Sequence, residues 1–138
     1  MKFDSWKADQ EWPELYILVA GTRTFDDYEL LERTLDSLIA SCPFEHVRVH
    51  IVHGGAKGAD TLAQKYGMSH QCTIHEFLAN WDEYGRAAGP MRNKKMHEFI
   101  KDKEYRVCVC FWDGKSRGTK DNFKWAKKYF TPLMIIQC

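Results

Sequence analysis

The sequence is short of most features that announce a function outright. Four prolines and nine glycines in 138 residues are too few for a collagen-like or low-complexity chain. No apolar run approaches the ~18 residues of a membrane helix, and no signal-peptide core opens the chain, so a soluble, cytoplasmic protein is expected. Charge of one sign is lacking: 20 Lys+Arg against 19 Asp+Glu leave a net +1. Dedicated nucleic-acid binders carry a clearer basic excess, so nucleic acid is not an expected partner. The five cysteines (Cys42, Cys72, Cys108, Cys110, Cys138) are odd in number and contain no CxxC, which signals neither a disulfide framework nor a zinc site. His46, His50, His70, His75 and His97 have no metal-ligand spacing, and no carboxylates cluster for magnesium. No metal and no cofactor is expected. A Walker P-loop is missing, and no GxGxxG follows the first strand, which disfavours ATP hydrolysis and classical NAD binding.

What the chain does have is alternation. After a polar extension over residues 1–14, carrying Phe3, Trp6 and Trp12 as aromatics able to dock, a single domain over 15–138 is expected. Tyr16–Ala20 reads as a buried strand. Asp26 with Glu29 resembles a capping box, with Phe25 placed to staple onto Leu30. Leu31, Leu35, Leu38 and Ile39 then line one helical face until Cys42-Pro43. Val47–His53 is a second strand. Ala59, Leu62, Ala63 and Tyr66 return to helical spacing, with Gly67 as a C-terminal stop. Cys72–Phe77 is a weaker strand and Leu78–Gly89 a loop. A helix is expected to open at Pro90, with Met96, Phe99 and Ile100 inward. Tyr105–Trp112 is a fourth strand in which Cys108 and Cys110 share a face as buried small hydrophobes. A helix carrying Phe123, Ala126 and Phe130 and a last strand at Leu133–Ile136 complete the chain.

Two strands, Tyr16–Ala20 and Val107–Phe111, are apolar on both faces, as in a parallel sheet covered by helices on both sides. Crossover rules then favour a doubly wound α/β fold, five strands in the order 3-2-1-4-5 with those two strands central. Ligands of such sheets bind beyond the strands' carboxyl ends, where strand order reverses, here between the first and fourth strands. Three Gly-rich, basic segments fall there: Gly21-Thr22-Arg23; Gly54-Gly55-Ala56-Lys57-Gly58 with Asp60; and Gly114, Ser116-Arg117-Gly118-Thr119. Glycine lets a backbone approach an anion, and a following helix N-terminus offers free amides. Tight strand–helix turns also need glycine, so each loop alone has a structural reading. A fourth segment places Arg92 and Asn93 in the first turn of the Pro90 helix, where a helix dipole prefers acids. Together these residues point to a phosphate-bearing ligand. Asp60 has two readings, a helix cap or a ribose contact. His53 reads as a packed, hydrogen-bonded imidazole, and Lys124, Lys127 and Lys128 as a solvated face.

The joint pattern Gly21-Thr22-Arg23-Thr24-Phe25, Val52 to Asp60, Trp81 to Tyr84, Ala88 to Asn93 with Met96, and Gly114 with Ser116 to Thr119 resembles the YspA-type (YpsA-related) branch of the SLOG superfamily. That superfamily also holds the "lonely guy" phosphoribohydrolases and the DNA-processing protein DprA. The resemblance implies a Rossmann-like domain that binds a nucleotide-derived small molecule in a sensing or sequestering role, and a homodimer or larger homo-oligomer. It also implies that Asp82 and Glu83, beside Trp81 and Tyr84, lie in a loop able to cover a base or reach a sugar. Two alternatives come with it: cleavage of the N-glycosidic bond of a nucleoside 5′-monophosphate, and handling of single-stranded DNA. The phosphoribohydrolases have an Arg four residues before a Met, which Arg92 and Met96 match. Their catalytic Glu falls at Asn122, which lacks a carboxylate. Arg92 and Asp121 are the remaining catalytic candidates, and the one-residue offset is expected to turn Asp121 about 100° away from the Glu direction.

Overall fold

The computed structural model describes residues 12–138. Phe3 and Trp6 lie outside them. Five strands, β1 (Glu14–Gly21), β2 (Arg48–His53), β3 (Thr73–Glu76), β4 (Tyr105–Trp112) and β5 (Leu133–Gln137), form one parallel sheet in the expected order β3-β2-β1-β4-β5. β1 starts two residues earlier than its apolar run. Just before it, Trp12 stacks on His46 with ring centroids 4.5 Å apart.

Side-chain alternation along the two central strands splits the core into two layers. Ile17, Val19, Val107, Val109 and Phe111 face α1 (Tyr28–Ala40) and α2 (Ala59–Ser69), which contribute Leu31, Leu35, Ala63 and Tyr66. Leu18, Ala20, Cys108 and Cys110 face α4 (Ala88–Ile100) and α5 (Arg117–Lys128), which contribute Met96, Ile100 and Ala126. Cys108 and Cys110 do share a face, with their sulfurs 3.7 Å apart. Burial on both sides is why β1 and β4 read as continuous apolar runs.

Several local expectations are corrected. The α1 N-cap is Asp27, whose carboxylate accepts from the Leu30 amide at 3.0 Å, not Asp26. Phe25 stacks on Phe111 at 4.8 Å, in the core cluster against which Leu30 packs. Gly67 lies inside α2 rather than ending it. A β-carbon there would stand 2.8 Å from Ile74, so the glycine serves helix–sheet approach. The helix ends instead in a Schellman turn: Gln71 takes the left-handed conformation and the Cys72 amide donates back to the Gly67 carbonyl at 2.9 Å. α5 ends the same way, with Phe130 left-handed and the Thr131 amide bonded to the Ala126 carbonyl. Phe130 is therefore outside the helix and 88% exposed, not on its buried face.

The Leu78–Gly89 segment is not a plain loop. It holds the short helix α3 (Trp81–Tyr84), capped by Asn80, then a 3-10 turn at Gly85–Ala87 that runs straight into α4. α4 thus starts at Ala88, and Arg92 and Asn93 fall in its second turn rather than its first. The clash with the helix dipole invoked for them is correspondingly weaker.

Candidate functional site

The carboxyl ends of β1, β2 and β4 and the N-terminal parts of α4 and α5 surround a cavity of 450 Å³. It opens at the point where strand order reverses, the position α/β sheets use for ligands. Of the residues singled out from sequence, Gly21, Arg23, Ala56, Asp60, Arg92, Asn93, Ser116, Arg117, Gly118, Thr119 and Asp121 line it. Gly54, Gly55 and Lys57 line an adjoining cavity of 400 Å³, which shares Arg23, Ala56, Trp81 and Arg92 with the first. Thr22, Gly58 and Gly114 line neither cavity.

Those three residues shape the loops. Buried Thr22 accepts at its Oγ1 from the Asp113 amide at 3.1 Å, tying the loop after β1 to the loop after β4. Gly58 and Gly114 take φ of +85° and +84°. Asp113 carries the turn around Gly114: its Oδ1 accepts from the amides of Lys115 and Ser116, both at 2.8 Å. These two donors hold its carboxyl below the usual range. Ser116 then caps α5, accepting from the Thr119 amide at 3.3 Å. That leaves the first-turn amides of Arg117 and Gly118 without intrahelical acceptors at the cavity wall.

The Gly54-Gly55-Ala56 loop is built differently from what its composition promises. The Gly54 and Ala56 amides donate to Asp60 Oδ2 at 3.1 and 3.2 Å. The Gly55 amide donates to His53 Nδ1 at 3.0 Å, which leaves the ring's other nitrogen to donate to Gln64 Oε1 at 2.6 Å. All three amides are thus committed within the loop. Asp60 is the acid that holds it, and it also lines the first cavity. Burial pushes its carboxyl up, opposed by the Ala56 amide, Arg92, His53 and the Gly54 amide.

Arg92 locks the loop from the other side. Its Nη1 donates to the Gly54 carbonyl at 2.5 Å and its Nε to Asn93 Oδ1 at 2.9 Å. Gly54 is required here for space: a β-carbon would overlap the Arg92 guanidinium. Burial lowers the Arg92 pKa, Asp60 opposes that, and Arg23 adds to it. The arginine stays charged regardless. Among the described residues neither Arg23 nor Arg92 forms an ion pair with a carboxylate. Arg23 is exposed and lies 5.8 Å over the Trp81 ring.

Asn93 joins the two helices. Its Nδ2 donates to the Gly118 carbonyl at 3.2 Å and to Asp121 Oδ2 at 3.1 Å, while Lys124 pairs with Asp121 Oδ1 at 3.1 Å. Asp121 and Asn122 both line the cavity, so Asp121 is not turned away as its one-residue offset predicted. α5 meets the cavity near its N-terminal end, where residues at several azimuths reach the same space. Asn122 is buried and structural: its Nδ2 donates to the Gly118 and Thr119 carbonyls and its Oδ1 accepts from His97 Nε2 at 3.0 Å. Lys124, Lys127 and Lys128 are exposed, and Lys124 and Lys128 lie over Trp125, 5.1 and 5.4 Å from its ring centre.

Arg86 was missed as a lining residue. It sits in the 3-10 turn, and its only sequence signal was its closeness to the Trp81–Tyr84 segment. Trp81 lines both cavities.

No helix among the described residues is long and apolar enough to cross a membrane. A family model described as the YspA, cpYpsA-related SLOG family matches residues 15–84, from β1 through α3. The Gene 61 protein of Mycobacterium phage D29 is 31% identical to this chain over 123 residues, covering 86% of this chain and 93% of that protein.

Proposed function

The chain belongs to the YspA, cpYpsA-related SLOG family, and from that premise we propose that it binds a nucleotide or nucleotide-derived small molecule in a sensing or sequestering role. The observation that carries this reading is the pair Arg23 and Arg92 at a concave site, neither of them in an ion pair with a carboxylate among the described residues. The Arg117 side chain and the first-turn amides of α5 add further anion donors on the opposite wall. Asn93, Ser116 and Thr119 supply the neutral polar groups that sugar hydroxyls or base edges require.

Thermal denaturation against AMP, ADP, ADP-ribose and cyclic dinucleotides tests the reading. A bound ligand at 100 times its Kd stabilises the fold by about 2.7 kcal/mol. An unchanged transition across the whole panel contradicts it, as does an Arg92→Ala variant that responds like the parent.

One observation supports a second reading, hydrolysis of the N-glycosidic bond of a nucleoside 5′-monophosphate. Asp121 is a carboxylate at the cavity wall, held in place by Asn93 and Lys124. On this reading it takes the part that Asn122 cannot. Chromatography for free base decides the matter: release from monophosphates that is lost in Asp121→Asn supports it, and release at the level of the blank removes it.

A further inference from the structure

Two cavities, of 450 and 400 Å³, lie side by side at this site, and each falls in the roughly 300–1,000 Å³ range that holds a drug-sized ligand. Their common wall is formed by Arg23, Ala56, Trp81 and Arg92. The Arg23 and Arg92 guanidiniums therefore stand at the boundary between two chambers, not at the bottom of one.

The chambers differ in chemistry. The first has Asn93, Ser116 and Thr119 and the α5 amides. The second has Lys57 and an apolar rim in which Leu78 is 71% and Trp81 47% exposed. Large apolar side chains left this open at the mouth of a concavity form a platform for a flat group. In the second chamber the loop amides of Gly54, Gly55 and Ala56 are committed to Asp60 and His53. That chamber is therefore suited to a ring laid on the Leu78–Trp81 platform with Lys57 beside it, and the two guanidiniums lie at its boundary with the first chamber.

Resting on the nucleotide-binding reading, we propose that the ligand is two-headed: a dinucleotide-type molecule whose central pyrophosphate lies between Arg23 and Arg92, with one nucleoside in each chamber. A mononucleotide would occupy the first chamber alone and leave the Leu78–Trp81 platform uncovered.

Calorimetric titrations with AMP, ADP and diadenosine 5′,5′-pyrophosphate (AppA) test this in the parent chain and in Lys57→Ala and Leu78→Ser. Both substitutions are at exposed positions of the second chamber, and urea unfolding confirms that they fold. AppA is expected to bind at least about tenfold more tightly than AMP or ADP, the equivalent of about 1.4 kcal/mol. Each variant should erase most of that advantage while leaving AMP affinity unchanged. Equal affinity for ADP and AppA overturns the two-headed ligand and leaves nucleotide binding intact. So does a variant that weakens AMP as much as AppA, because a single nucleotide then reaches both chambers. Binding of none of the three overturns the nucleotide reading itself.

Discussion

Alanine at position 54 is a small change with a large expected effect on the site. Gly54 does not have a positive φ, so its backbone accepts a β-carbon without strain. The added carbon would nevertheless lie 2.7 Å from both Cδ and Cζ of Arg92, where about 3.5–4.0 Å is an ordinary contact. The guanidinium must swing away by about 1 Å and give up its bond to the Gly54 carbonyl. A hydrogen bond involving a charged group contributes about 1.5–3 kcal/mol, and a glycine-to-alanine change recovers about 0.4–1 kcal/mol through the unfolded chain. The net cost to folding is then about 1–2 kcal/mol, or about 3–8 °C in Tm for a chain of this size. Loss of one guanidinium–phosphate contact should cost about 1.5–3 kcal/mol of binding, roughly 10- to 150-fold in Kd. Calorimetry with a nucleotide that the parent binds, run on Gly54→Ala, Arg92→Ala and the double variant, gives the readout. Both single variants act through the same guanidinium, so the double variant should be no weaker than the worse single one. Affinity within threefold of the parent in Gly54→Ala, or losses that add in the double variant, would refute the role given to Arg92.

Three further outcomes are expected. Asp60→Ala leaves the Gly54 and Ala56 amides without their acceptor and should cost about 2–4 kcal/mol in urea unfolding; a cost under 0.5 kcal/mol would show that the loop does not depend on it. Burial lowers the pKa of both His75 (with His50 and Lys103 adding to it) and His97, so between about pH 6.5 and their lower folded values the unfolded chain binds more protons than the folded one. Stability should therefore be full above about pH 6.5 and fall as the solution is acidified, with a shallower fall in His75→Gln; identical slopes would contradict this. Asn122→Glu, the substitution that restores a carboxylate at that position, would aim it at the Gly118 and Thr119 carbonyls and should destabilise the fold by 2 kcal/mol or more on the scale of about 1–3 kcal/mol for each buried polar group left unsatisfied, which thermal melting would detect.

The sheet and its order were legible because β1 and β4 must be apolar on both faces to sit at the centre, and crossover handedness leaves few alternatives. The position of the cavity followed from the same topology, since the loops after β1, β2 and β4 converge on that edge of the sheet. What escaped was set by tertiary packing. α3 has four residues and no buried face, so no periodicity marks it, and Arg86 went unnoticed with it. Gln71 and Phe130 close their helices in a conformation that sequence assigns to glycine. The composition of the Gly54–Ala56 loop announces an anion cradle, yet the direction of its amides is decided by Asp60 and His53. The reach of Asp121 depended on how α5 meets the cavity, which helical spacing alone does not encode.

The most direct measurement is a crystal structure of the chain with the best-stabilising nucleotide of the thermal panel bound. A ligand phosphate within hydrogen-bond distance of the Arg92 guanidinium, with Arg23 on its other side, is the predicted result. A nucleotide whose phosphates lie outside the space between β1, α4 and α5, with both guanidiniums left untouched, would contradict the account.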